Sequence, residues 1–190
     1  YNGGIGFDKG VADINEKSKN NFWKRLPVEK MQLSDGSISD TVHNANFELA
    51  ETKATKAIQK HSMNIGGKER NYQTDEAYLM LGKARYYDQR FVPALDAFNY
   101  ILYKHPQSNK IYEAKIWREK TNMRLGNDAL VIKNLSKLLK DFKLKHQLEA
   151  NANAVLAEAF LNLEEKDSAV AKLQIAQEFT KINIEKARYR

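Results

Sequence analysis

From Asp75 onward, small and apolar residues return at a spacing that fits pairs of amphipathic helices. Starts at Asp75, Tyr112 and Ala150 put an alanine third in each unit: Ala77, Ala114 and Ala152. Seventh and eighth come Leu81-Gly82, Arg118-Glu119 and Leu156-Ala157; twentieth come Ala94, Val131 and Ala169. The twenty-fourth positions are Phe98, Leu135 and Leu173, and the twenty-seventh Ile101, Leu138 and Ala176. The offsets are 37 and 38 residues. Each unit predicts two helices of a dozen or more residues around a short turn. One such pair cannot bury its apolar face alone, so neighbours must stack.

The N-terminal part reads differently. Ile5, Phe7, Val11, Ala12 and Ile14 predict a short helix over 5–19, opened by the glycines Gly3, Gly4 and Gly6. Asn21-Phe22-Trp23-Lys24-Arg25-Leu26-Pro27 follows, and Pro27 turns Leu26 away from the α region, so this reads as an extended connector rich in large side chains. Residues 32–44 predict a surface loop. From Phe47 to about Met63 a small-residue face predicts a second helix, which Gly66-Gly67 terminates. The expected division is therefore a cap over 1–74 and repeats over 75–190, starting near 75, 112 and 150. A truncated fourth is expected from about 184. Tyr1 is not Met and Arg190 falls within an expected helix, so the chain reads as a piece of a longer protein.

Composition narrows the picture. Of 190 residues, 42 % are hydrophobic and 29 % charged, which suits a folded domain rather than a disordered one. No apolar run approaches the roughly 18–20 residues of a membrane span. With no cysteine, thiolate metal sites, disulfides and a Cys nucleophile are excluded. The net charge of +7 gathers around Lys133, Lys137, Lys140, Lys143 and Lys145 and near the terminus. Asp141, Glu149 and Glu185 interleave and no aromatic–basic motif accompanies the lysines, so no nucleic-acid partner is expected.

Catalytic patterns are missing. His43, His61, His105 and His146 lack metal-ligand spacing. Gly3-Gly4-Ile5-Gly6 follows no strand and is no dinucleotide fingerprint, and Gly66-Gly67-Lys68 lacks the rest of a phosphate loop. No enzyme activity, cofactor or metal is expected.

Tyr78, Leu81, Gly82, Tyr86, Phe91, Ala94, Phe98 and Pro106 fall where the tetratricopeptide repeat wants them, and the first unit resembles that family best. The second unit departs from it at Arg118-Glu119. The implied fold is all-α, a right-handed helical solenoid of tetratricopeptide-like pairs with an N-terminal helical and extended cap. Its concave wall would carry Leu79, Lys83, Tyr86 and Tyr87, then Lys120 and Met123, as contacts for a peptide or partner helix. Tyr86 and Tyr87 packing on the preceding helix is the equally weighted alternative. The carboxylate clamp of co-chaperone repeats is absent, because Leu79 and Lys83 occupy its positions.

The pre-repeat segments carry a closer resemblance. Phe22-Trp23-Lys24-Arg25-Leu26-Pro27, then Lys56 through Ile65, Lys68-Glu69-Arg70-Asn71 and the run from Asp75 to Ala94 resemble the SprE/PorW family, tetratricopeptide lipoproteins of the Bacteroidota type IX secretion system. The resemblance implies a non-enzymatic periplasmic scaffold, lipid-anchored to the outer membrane upstream of Tyr1. It implies contact with the translocon barrel, SprA or Sov, and with ring and motor subunits that support secretion and gliding. Phe22, Trp23, Arg25, Leu26 and Pro27 become candidate partner contacts beside a role in capping the solenoid, and Thr41 a candidate O-glycosylation site. The alternatives are a general outer-membrane repeat lipoprotein assisting barrel assembly, and a docking module of an enzyme.

Overall fold

The computed structural model describes residues 2–18, 26–31, 44–66, 68–71 and 73–190. Among them α1 (Asn2–Lys17) and α2 (Ala45–His61) precede a two-residue hairpin, β1 (Asn64–Ile65) and β2 (Lys68–Glu69). Then come α3 (Thr74–Tyr87), α4 (Phe91–Lys104), α5 (Ile111–Arg124), α6 (Asp128–Asp141), α7 (His146–Asn162), α8 (Lys166–Phe179) and α9 (Asn183–Arg188). The fold is all-α, and neighbouring helices pack on one another as in helical-repeat proteins, α1 to α4 in one run and α6 to α9 in another.

The turn inside each pair is the same object three times. Gln89, Gly126 and Glu164 all have positive φ, at 60°, 80° and 64°, and stand 37 and 38 residues apart. In each turn the left-handed residue donates its N–H three residues back, to Tyr86, Met123 and Leu161. The next N–H reaches five residues back, from Arg90 to Arg85, Asn127 to Asn122 and Glu165 to Phe160. This double closure satisfies carbonyls that the helix end would leave open. It also starts the second helix in a fixed direction, so the repeat offset read along the chain is visible in the backbone.

Two compact units divide the chain. Lys30–Arg118 with residues 2–18 forms the first; Glu119–Arg190 with residues 26–29 forms the second, so the division falls inside α5. The sequence placed a boundary near 74, but α1 and α2 pack against α3 much as repeat helices do. Gly3, Gly4 and Gly6, expected ahead of the first helix, lie within it. Gly10 explains why glycine is tolerated there: a β-carbon on it would sit 2.7 Å from the Phe47 ring. Gly82 receives Phe98 identically, at 2.5 Å, so α1–α2 and α3–α4 close through the same glycine-on-phenylalanine seat. The core of the first unit gathers Ile14, Phe47, Ala50, Leu79, Tyr86, Tyr87, Phe98 and Ile101.

In the second unit, α6 buries Val131, Leu135 and Leu138, and α7 is buried at every position from Ala152 to Ala159. A helix covered on all sides favours small side chains, and alanine fills half of the buried stretch 152–159, at Ala152, Ala154, Ala157 and Ala159. Where the repeat usually has Leu-Gly, Glu119 is buried but accepts from Asn122 Nδ2 and Asn134 Nδ2, each at 3.1 Å. Hydrogen bonding to α6 there replaces the close approach that Gly82 permits.

One further expectation is corrected. Gly66 does not end α2, which stops at His61 with Ser62 extended; Gly66, at φ 60°, turns the hairpin that pairs Asn64 with Glu69. Gly67 lies outside the described residues. The Glu69 carboxylate fastens this corner, accepting from Met63 N–H (2.7 Å), Asn71 N–H (2.9 Å) and the Ser62 hydroxyl. The slight burial raises Glu69, but these donors outweigh it and hold the carboxyl below its ordinary range.

The turn geometry predicts opposite signs at equivalent positions. Gly126→Ala places a β-carbon on a left-handed residue and should cost about 1–2 kcal/mol, whereas Glu164→Gly relieves that strain and should gain about 0.5–1 kcal/mol. Urea melts read both, and equal signs would contradict the shared turn. A second prediction concerns acid. Glu51 on α2 accepts from Arg85 at 2.8 Å and pairs with Arg90. Burial raises Glu51, yet the two guanidiniums overcome it and its pKa is lowered. Its contribution is therefore fully present above about pH 4.5 and fades as pH falls through the lower folded value. Glu51→Gln should lose about 1 kcal/mol at pH 7, and the loss should shrink as the pH is taken from about 4.5 towards 3. A difference that stayed constant over that range would refute the assignment.

Candidate partner-binding site

The expected concave residues divide sharply. Leu79, Tyr86, Tyr87 and Met123 are buried and offer nothing to a partner. For the tyrosines the reason is aromatic packing. Tyr87 stacks on Phe47 at 5.1 Å and meets the edge of Phe7 at 5.6 Å. Tyr86 is edge-to-face with Phe91 and Trp117, at 5.6 and 5.3 Å. Tyr87 packs on the preceding helix, as the alternative reading had it, whereas Tyr86 is buried against the following helices α4 and α5. Lys83 stays at the surface edge of α3, bonded to Glu113 at 2.6 Å with its ammonium 5.3 Å from the Trp117 centroid. Glu76, more exposed, pairs with Lys110 at 3.3 Å. Phe22, Trp23, Arg25 and Thr41 lie outside the described residues.

Lys120 leads to the more informative surface, in the second unit. Its ammonium pairs with Glu29 Oε1 at 3.1 Å, with side chains only 11 % and 17 % exposed. One residue earlier, Val28 packs against the cluster of Ala154 on α7, Ala176 on α8 and Tyr189 just past α9. The Pro27 carbonyl accepts from Arg188 Nη1 at 3.1 Å, Pro27 itself is exposed and Leu26 is half-buried. Residues 26–29 thus lie against Lys120 on α5, Ala154 on α7, Ala176 on α8 and the α9 end at Arg188 and Tyr189, held by a cation at each end and an apolar contact between. Val28 is half-buried, so its burial supplies about half of the roughly 1.5–3 kcal/mol of a fully buried valine. The ion pair adds about 0.5–1 kcal/mol.

The surroundings are charged. Arg124 Nη1 lies 3.3 Å from Glu158 Oε1, while Glu158 Oε2 is buried and has no hydrogen-bond partner among the described residues. Thr180 Oγ1 donates to Glu185, as does Gln147 Nε2 at 2.8 Å, which ties α9 to α7. Burial, and after it the charges of Glu185 and Glu29, push the Tyr189 phenol well above its usual range. It is therefore neutral at any ordinary pH. Among the described residues no three His, Asp or Glu side chains group to hold a metal ion, and no helix is long and apolar enough to cross a membrane.

Sequence reading singled out the connector but stopped at Pro27. Val28 and Glu29, the residues that engage the second unit, follow immediately. Their signal was weak: an apolar residue and an acid after proline make no periodic pattern. Tyr189 could have been flagged as the one aromatic residue of the expected fourth repeat.

The ion pair predicts a charge-swap rescue. Lys120→Glu should destabilise the second unit by roughly 1 kcal/mol, and adding Glu29→Lys should recover most of it, a coupling that a double-mutant cycle in urea measures. Additive losses would mean the two side chains do not meet. No protein-family model matches this chain and no curated protein matches it in sequence.

Proposed function

We propose that this chain is a non-enzymatic scaffold whose stacked helix pairs hold extended segments of partner proteins. The observation that carries the reading is the lie of residues 26–29 across Lys120, Ala154 and Tyr189. A helix face that takes an extended stretch of its own chain has the cations and the apolar floor to take one from another protein. The tetratricopeptide pattern of the first repeat supports the same reading.

The pre-repeat segments, which ordinary repeat proteins lack, support the SprE/PorW assignment and with it a place in the type IX secretion machinery. In that role the chain joins the outer-membrane translocon barrel, SprA or Sov, to the periplasmic ring and motor. A lipid anchor upstream of Tyr1 would hold it at the outer membrane. Affinity purification of the tagged full-length protein from gently solubilised envelopes, read by mass spectrometry, tests this. The translocon barrel should come down at near-stoichiometric amounts. Recovery of barrel-assembly proteins with the translocon absent would replace the reading with that of a general outer-membrane repeat lipoprotein.

A further inference from the structure

We propose that residues 26–29 are a built-in pseudo-ligand, occupying in the free protein the groove that takes a partner's peptide, so that partner binding requires their displacement. The proposal rests on the scaffold reading and adds to it the chemistry of the ligand and a gate.

Three features specify the ligand. Lys120 takes a carboxylate, here Glu29, in a site where both side chains are largely buried. The Ala154, Ala176 and Tyr189 cluster takes one apolar side chain, here Val28. Arg188 takes a backbone carbonyl from the residue before it. An extended carbonyl–apolar–acidic stretch therefore fits, and an acidic partner segment satisfies it better than a basic one.

The gate follows from covalent linkage. A segment in the same chain competes at an effective concentration on the order of millimolar, so a weak cis contact suffices to mask the groove from a dilute partner. The attachments described for residues 26–29 are side-chain contacts and one guanidinium–carbonyl bond, a set that a better-matched segment can exchange one for one.

The test uses the full chain and a fluorescent peptide copying residues 26–31, followed by anisotropy. Glu29→Lys, which sets like charges face to face at Lys120, should raise the peptide's affinity about tenfold over the unaltered chain. Lys120→Glu alone, which also opens the site by facing Glu29 with a second carboxylate, should abolish binding of the copy but accept a peptide carrying lysine at the glutamate position. That swap separates recognition from misfolding. Circular dichroism of each variant shows whether the helices persist; Val28→Ser provides a milder opening should Glu29→Lys not fold. Equal affinity for the unaltered and opened chains would overturn the gate, and no binding to a folded, opened chain would overturn the groove. Failure of the scaffold reading is separate: it appears as absence of the translocon from the envelope purification, even with peptide binding intact.

Discussion

A helix pair always leaves one face of its first helix uncovered, and what covers that face governs this molecule. In the first unit the cover is aromatic. Phe7 and Phe47, brought close by the Gly10 seat, lie against Tyr87, while Phe91 and Trp117 meet Tyr86. Ring pairs at 5–6 Å in edge-on or offset geometry add about 0.5–1.5 kcal/mol each beyond the area they bury. In the second unit α7 is buried throughout its middle, and residues 26–29 with Tyr189 supply part of the cover. Stability and binding therefore compete for one kind of surface, and where aromatic residues have taken it no partner can enter.

This explains how much was legible in the sequence. The helix pairs were, because three chemically different residues, Gln89, Gly126 and Glu164, hold one backbone conformation at one position of each repeat. That position had no residue-type signature, yet the apolar and small residues around it did: Ala94, Val131 and Ala169 are all fully buried. Gly3, Gly4 and Gly6 misled because propensity reads them as the opening of a helix, while α1 runs through them; within it, close packing on α2 makes Gly10 a requirement. Gly66 misled for a related reason: it turns a hairpin whose strands are too short to show alternation.

The candidate surface was less legible. Family register assigned Tyr86 and Tyr87 to the wall, but two adjacent tyrosines cannot be sorted into core and surface without the rings that meet them. Lys120 was assigned to the same wall and does hold a carboxylate there, from the chain itself. Pairing between residues 91 apart leaves no local trace. Arg118-Glu119, which looked like a lapse from the repeat, is a hydrogen-bonded substitute in which Asn134 reaches across from α6.

The most direct measurement of the cover on α7 uses the absence of native cysteine. In the otherwise thiol-free chain, the thiol introduced by V28C can be labelled and its rate compared with that of P27C, the exposed neighbour. A packed residue 28 should react at least about tenfold more slowly than residue 27, reflecting a buried contact worth about 1.4 kcal/mol, and adding K120E should erase much of the difference. Equal rates at the two positions, with the helices intact, would mean that the segment does not lie on the second unit's face and that the account of the groove is wrong.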